Sequence, residues 1–165
     1  MGRRNYLVKG VSGTGKTSVC DELLRRGHHA VHGDRELAYA GDPATGLPVA
    51  QRGHENHLWR VPQVRALVAD QEHEATFLCG GSRNVADLVD LFDGVFVLTV
   101  DLGTLRRRLA GRAADEFGGR PEDLALVERL HRTGEDVPDG VLVDATAPLA
   151  QVVDEILARA GLAPR

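Results

Sequence analysis

Apolar positions along the chain follow two rhythms. Continuous apolar runs at Asn5–Lys9 (NYLVK), Ala75–Cys79 (ATFLC) and Gly94–Val100 (GVFVLTV) predict strands covered on both faces. Ala30–Gly33 (AVHG) and Gly140–Val143 (GVLV) add two shorter ones. Between them the three-and-four spacing of apolar residues predicts helices at Thr17–Arg26, Pro62–His73, Asn84–Phe92, Thr104–Arg112, Pro121–Thr133 and Pro148–Ala160, with Gly27 closing the first. Strands that alternate with helices imply a parallel sheet with right-handed crossovers and helices on both faces, an α/β fold of three αβα layers. Such sheets bind ligands at the carboxyl ends of their strands. Gly41–Arg60 and Ala113–Arg120 fit neither rhythm. Long irregular loops in a compact domain are functional or disordered. Both are therefore expected to cover a ligand, the first within a cover segment over residues 35–74, the second as a small lid over 112–121.

Composition narrows the function classes. With 165 residues, 42% hydrophobic and 27% charged, the chain is expected to form one globular domain. A net charge of -4 and a pI near 6.0 argue against nucleic acid or an anionic membrane as partner. Two cysteines, Cys20 and Cys79, cannot supply a four-thiolate zinc site and fit a reducing, cytoplasmic setting. The amino-terminal MGRRNYLVKG does not read as a secretory signal, and Tyr6 stands where a myristoylation motif needs Ser or Thr. No run approaches the roughly 20 apolar residues of a membrane helix. Of the 20 Lys and Arg residues only Lys9 and Lys16 are lysines, which draws attention to where Lys16 falls.

Residues 10–17 spell GVSGTGKT, a complete G-x-x-x-x-G-K-[ST] motif between a predicted strand and a predicted helix. Gly10, Gly13 and Gly15 let successive backbone N–H groups turn toward one anion, and the helix adds its positive end there. Lys16 places a point charge on the outer phosphates, and the Thr17 hydroxyl suits magnesium. Gly10, Val11, Ser12, Gly13, Thr14, Gly15, Lys16, Thr17 and Ser18 are thus the expected nucleotide-binding residues, for ATP or GTP with Mg2+.

In motif and layout the chain resembles the small P-loop kinases, among them adenylate kinase and other nucleoside monophosphate kinases, shikimate kinase and gluconate kinase. The layout matches over nearly the whole chain, and the P-loop is its specific part. The resemblance implies a three-layer αβα P-loop NTPase fold with a five-stranded parallel sheet and a small lid. It also implies that Asp34, in VHGDRELA after the second strand, contacts the acceptor or the magnesium. A carboxylate beside the γ-phosphate can orient an acceptor hydroxyl and take its proton, while the plainer alternative is a helix N-cap. Arg35 faces either an anionic acceptor or solvent. Gly80, Gly81 and Arg83, in GGSRN after the third strand, combine a glycine turn with a guanidinium suited to phosphate or carboxylate. The alternative there is a tight turn capped by Ser82 or Asn84.

One departure from the pattern is that the third strand ends in Cys79 and Gly80 without an acid. Asp101 reads as a cap for Thr104, so Asp34 together with Thr17 is expected to serve the metal. The resemblance makes Arg112 and Arg120 lid arginines, hinged by Gly118 and Gly119, that close over the phosphates. Arg106–Arg108 are expected to be mostly solvated; the resemblance implies that Asp144–Ala147 border the base, the alternative being a turn and cap before Pro148. His28, His29, His32, His54 and His57 lack metal-site spacing and read as surface or pocket residues. Trp59 is either a stacking platform for the acceptor or core, and Cys20 is core. The resulting expectation is a kinase that moves a γ-phosphoryl group to a small-molecule acceptor, first a nucleoside or nucleotide, alternatively a sugar or hydroxy-acid metabolite. A non-catalytic nucleotide sensor or slow NTPase is the other alternative.

Overall fold

A computed structural model describes residues 2–112, 119–134 and 138–163. Its central strand, β1 (Gly2–Lys9), pairs in parallel with β5 (His73–Cys79) on one side and β6 (Gly94–Thr99) on the other. Strands β2 (His29–His32) and β7 (Val141–Asp144) complete a five-stranded parallel sheet in the order β2-β5-β1-β6-β7. Because β1 has neighbours on both edges, its residues must satisfy two packed faces, and the alternation is clean. Tyr6 and Val8, with Phe77, Cys79, Phe96 and Leu98, pack under α1 (Lys16–Arg25), α4 (Leu102–Ala110), α5 (Pro121–Thr133) and α6 (Leu149–Arg159). Leu7, Leu78, Val95 and Val97 face the other way, against Val64 of α3 (Val61–Ala69) and against Leu37, Trp59, Val85 and Leu88.

The five predicted strands are present, with ends shifted by a few residues. Gly33 opens a short helix, α2 (Gly33–Glu36), instead of closing β2. The long predicted helix at 84–92 is instead two 3₁₀ turns, Val85–Asp87 and Val89–Leu91. The cause is local. The Asn84 side chain grips the backbone of Trp59 at both ends, accepting from its N–H at 3.1 Å and donating to its C=O at 3.0 Å. A three-residue repeat then brings Val85 and Leu88 to the same buried face.

A second, two-stranded sheet brackets the segment Gly41–Arg60, with one strand just before it and the other near its end. β3 (Ala38–Ala40) pairs antiparallel with β4 (His57–Trp59), so that Ala40 opposes His57 and Ala38 opposes Trp59. This hairpin drives Trp59, which is 0% exposed, between the two strand ends. A methyl at Gly33 would lie 2.5 Å from the indole, and one at Gly80 would lie 3.0 Å from it. Trp59 is therefore core, and its ring is not available as a stacking platform. Residues 113–118 of the expected lid, Gly118 included, lie outside the described residues.

The packing at Gly33 has a measurable consequence. Gly33→Ala should destabilise the fold by about 1–3 kcal/mol through overpacking. In a Trp59→Leu background the same substitution should cost less than about 1 kcal/mol, because the ring it strikes is gone. Urea unfolding of the four proteins checks this, and equal costs in both backgrounds would contradict it.

Candidate active site

The phosphate cradle is built by the turn between β1 and α1. Gly13 and Gly15 adopt φ of 90° and 100°, conformations that glycine reaches without strain. A side chain at Gly13 would also strike Leu105 Cδ1 at 2.8 Å, so α4 packs directly on the loop. Thr14 ties the loop internally through Oγ1 to the Val11 carbonyl at 2.8 Å. Lys16 Nζ donates to the carbonyls of Gly10 at 2.6 Å and Val11 at 3.0 Å, which parks its ammonium over the cradle.

Two arginines from the α4 side brace this loop. Arg108 donates to the carbonyls of Thr14 at 3.2 Å and Ala145 at 2.7 Å, joining the P-loop to the loop after β7. Arg112 donates to Ser12 Oγ at 2.6 Å. The expectation that Arg106–Arg108 are mostly solvated holds for Arg106, which pairs with Glu128, and for Arg107, which bonds Thr104. It holds for Arg108 too, which is exposed although its guanidinium reaches back to the P-loop. The available signal for that reach was the four-residue step to Arg112, alongside the buried Leu105 and Leu109.

Facing the cradle is a wall gathered around one carboxylate oxygen. Asp34 Oδ1 accepts from His57 Nε2 at 2.9 Å, from Trp59 Nε1 at 3.3 Å and from the Gly81 backbone N–H at 3.3 Å. Asp34 lies inside the first turn of α2 and is not its N-cap, a position held by His32. The Arg83 backbone N–H bonds the His57 carbonyl at 2.9 Å, so hairpin and glycine turn are fastened together. Partial burial works to raise the Asp34 pKa. The His57 hydrogen bond, the Lys16 charge and the Gly81 N–H outweigh it and hold the carboxyl below its ordinary value.

Cradle and wall enclose a cavity of about 1080 Å³. Residues Gly10 to Ser18 line it, as do Asp34, Arg35, Gly81, Arg83 and Arg112, so most of the expected site residues converge. Gly80 does not line it and instead backs the Asp34 carboxylate, where a methyl would lie 3.0 Å from Oδ1. Arg120 stands exposed at the N-cap of α5 and is not among the lining residues. Ala145 and Ala147 reach the cavity from the loop after β7, whereas Asp144 turns back to hold Thr146. Asp101 caps α4 by accepting from the Thr104 N–H at 2.8 Å. His54 and His57, read from the sequence as surface or pocket residues, line the cavity, and so do Lys9 and Ser82, which were not expected there. Gly53 joins them from the cover segment.

Thr17 and Asp34 offer hard oxygen donors to the same cavity, a set that fits magnesium. Desolvation, reinforced by the Lys9 and Arg112 charges and opposed by Asp34, pulls the Lys16 pKa from 10.5 to about 8.

Residues 7–124 match the family model described as an AAA domain. No curated protein matches the sequence. Among solved structures, a sugar kinase from Janibacter sp. HTCC2649 is similar at 21% identity and a TM-score of 0.61, covering 98% of this chain and 96% of that one. A shikimate kinase from Bacteroides thetaiotaomicron aligns at 13% identity and a TM-score of 0.64, covering 96% and 99%. A deoxyadenosine kinase from M. mycoides with bound dATP aligns at 14% and a TM-score of 0.51, covering 95% and 99%. At these identities the likeness concerns the fold, which is that of the P-loop kinases.

The lowered Lys16 pKa makes nucleotide binding pH-dependent. Above about pH 8 the free protein loses the Lys16 proton, and a bound triphosphate would restore it by favouring the ammonium. ATP affinity should therefore fall as pH rises above 8, by up to about tenfold per unit, with proton uptake on binding. Calorimetry at pH 8.8 in two buffers of different ionisation enthalpy measures that uptake. Its absence would show that Lys16 does not meet the phosphates.

Proposed function

The chain belongs to the AAA domain family, and from that premise we propose that it is a kinase that transfers the γ-phosphoryl group of ATP to a small acceptor. The observation that carries this is the Asp34 carboxylate, held by three donors in the same cavity as Lys16 and close enough to feel its charge. A hydrolase needs a positioned water, whereas an ionised carboxylate fixed across from a phosphate cradle suits an acceptor hydroxyl. That hydroxyl donates to Asp34, its oxygen attacks the γ-phosphorus, the bond to the β,γ-bridging oxygen breaks, and the proton passes to Asp34 as ADP leaves. Lys16 and Arg112 gather the charge that builds on the phosphates. Thr17 and Asp34 would hold magnesium, which would supply further charge neutralisation. Arg120 remains a proposed lid arginine that would act from the segment beyond 112.

A nucleoside or nucleotide is the preferred acceptor class, because Arg83 lines the acceptor side and a nucleoside kinase shares the fold. A sugar or hydroxy acid is the second reading, favoured by the sugar and shikimate kinase neighbours.

ATP consumption with magnesium should rise in only one of three acceptor pools: nucleosides, nucleoside monophosphates, and sugars or hydroxy acids. Lys16→Ala should abolish it. Equal slow consumption in every pool, and without any acceptor, would replace the kinase with a hydrolase. Asp34→Asn should lower kcat by about 10²–10⁴-fold, far more than it lowers ATP affinity. An unchanged kcat would leave Asp34 a purely structural acceptor of hydrogen bonds.

A further inference from the structure

The glycine turn after β5 holds a polar group that neither the phosphate cradle nor the Asp34 cluster uses. Ser82 is 5% exposed and lines the cavity, yet its hydroxyl is shielded from solvent and bonds to no group of the protein. A turn capped by Ser82 is one reading of the sequence, and the structure does not bear it out. The 3₁₀ turn Val85–Asp87 begins at Asn84 without a side-chain cap. A serine hydroxyl carries one donor and two acceptor sites, and burying it unbonded is unfavourable in the free protein. Folded proteins keep few such groups, and those they keep call for a reason.

The neighbours of Ser82 fix where its hydroxyl can act. The N–H of Gly81 donates to Asp34 Oδ1 at 3.3 Å, and that of Arg83 donates to the His57 carbonyl at 2.9 Å. The Ser82 carbonyl accepts from the Val85 N–H at 3.4 Å. Its backbone is thus held one residue from the contact to the Asp34 carboxylate, and the hydroxyl keeps only the staggered positions of one side-chain torsion. Ser82 therefore belongs to the wall opposite the cradle, where the proposed acceptor hydroxyl meets Asp34. The group that satisfies a hydroxyl both as donor and as acceptor is another hydroxyl. A carboxylate oxygen only accepts, and an ammonium only donates.

We infer that Ser82 is a specificity-determining residue that hydrogen-bonds a second hydroxyl of the acceptor, beside the one that Asp34 activates, so that the substrate presents two neighbouring hydroxyls to this wall. This rests on the kinase reading and deepens it. An acceptor without the second hydroxyl leaves Ser82 as unbonded in the complex as in the free protein, and forfeits that share of the binding.

Two readouts test this, and the first needs no acceptor. Because the substitution removes an unbonded hydroxyl, Ser82→Ala should melt at the wild-type temperature or above it. A lower melting temperature would mean that the hydroxyl is bonded within the fold, which overturns the proposal. The second uses protein loaded with saturating AMP-PNP and magnesium, titrated calorimetrically with adenosine, D-glucose and D-gluconate, each beside its monodeoxy derivatives. For the probe that binds, one monodeoxy derivative should bind about fivefold or more weakly than its parent. Ser82→Ala should weaken the parent by a similar factor and bring parent and that derivative within about twofold of each other, with AMP-PNP affinity within about twofold of wild type. A deoxygenation loss that is as large in Ser82→Ala as in the wild type, or a parent affinity that the substitution leaves unchanged, overturns the proposal. So does loaded protein that binds none of the three probes. If AMP-PNP itself does not bind, the kinase reading fails instead, and the melting comparison alone judges whether the Ser82 hydroxyl stands unbonded.

Discussion

A single carboxylate oxygen organises this site. Asp34 Oδ1 takes three hydrogen bonds from two segments: a histidine and a tryptophan from the hairpin and a backbone amide from the glycine turn. The bonds to an ionised acceptor are stronger than neutral ones, so the wall opposite the P-loop holds together through the same side chain that is proposed to meet the acceptor. This coupling explains why an irregular stretch of chain is folded back onto the strand ends. It also constrains the carboxylate, which keeps one oxygen committed to structure and leaves the other for chemistry.

Charge is the second organising constraint. An acidic chain has concentrated cations around one cavity, and burial there weakens the hold of Lys16 on its proton. Such a cleft is poised for polyanions. The backbone carbonyls of Gly10, Val11, Thr14 and Ala145 accept several of these donors and keep the arrangement from being purely repulsive.

Much of this was legible in the sequence. The P-loop could be read because its chemistry depends on local order: glycines, lysine and threonine at fixed spacing between a strand and a helix. The parallel sheet could be read because strands buried on both faces are continuous apolar runs. The hairpin was hidden because AYA and HLW are too short to show a period, and their pairing is decided by Trp59 finding room beside Gly33 and Gly80. Asp34 was visible by position, yet its partners were not, since His57, Trp59 and Gly81 lie 23 to 47 residues away. The 3₁₀ turns after Asn84 follow from a side-chain grip on a distant backbone that no local propensity encodes. Lys9 looked like the polar end of a strand, and only the face it shares with Leu7 reveals where it goes.

Trp59 gives the molecule a property of a different kind. It is the only tryptophan in the chain, sealed from solvent, with its indole N–H on the carboxylate at the centre of the cavity wall. Indole emission responds to nearby charge and to the strength of that hydrogen bond. The fold therefore contains an intrinsic optical reporter wired to Asp34, one that registers events in the cavity without any label and without contributing a surface to the ligand.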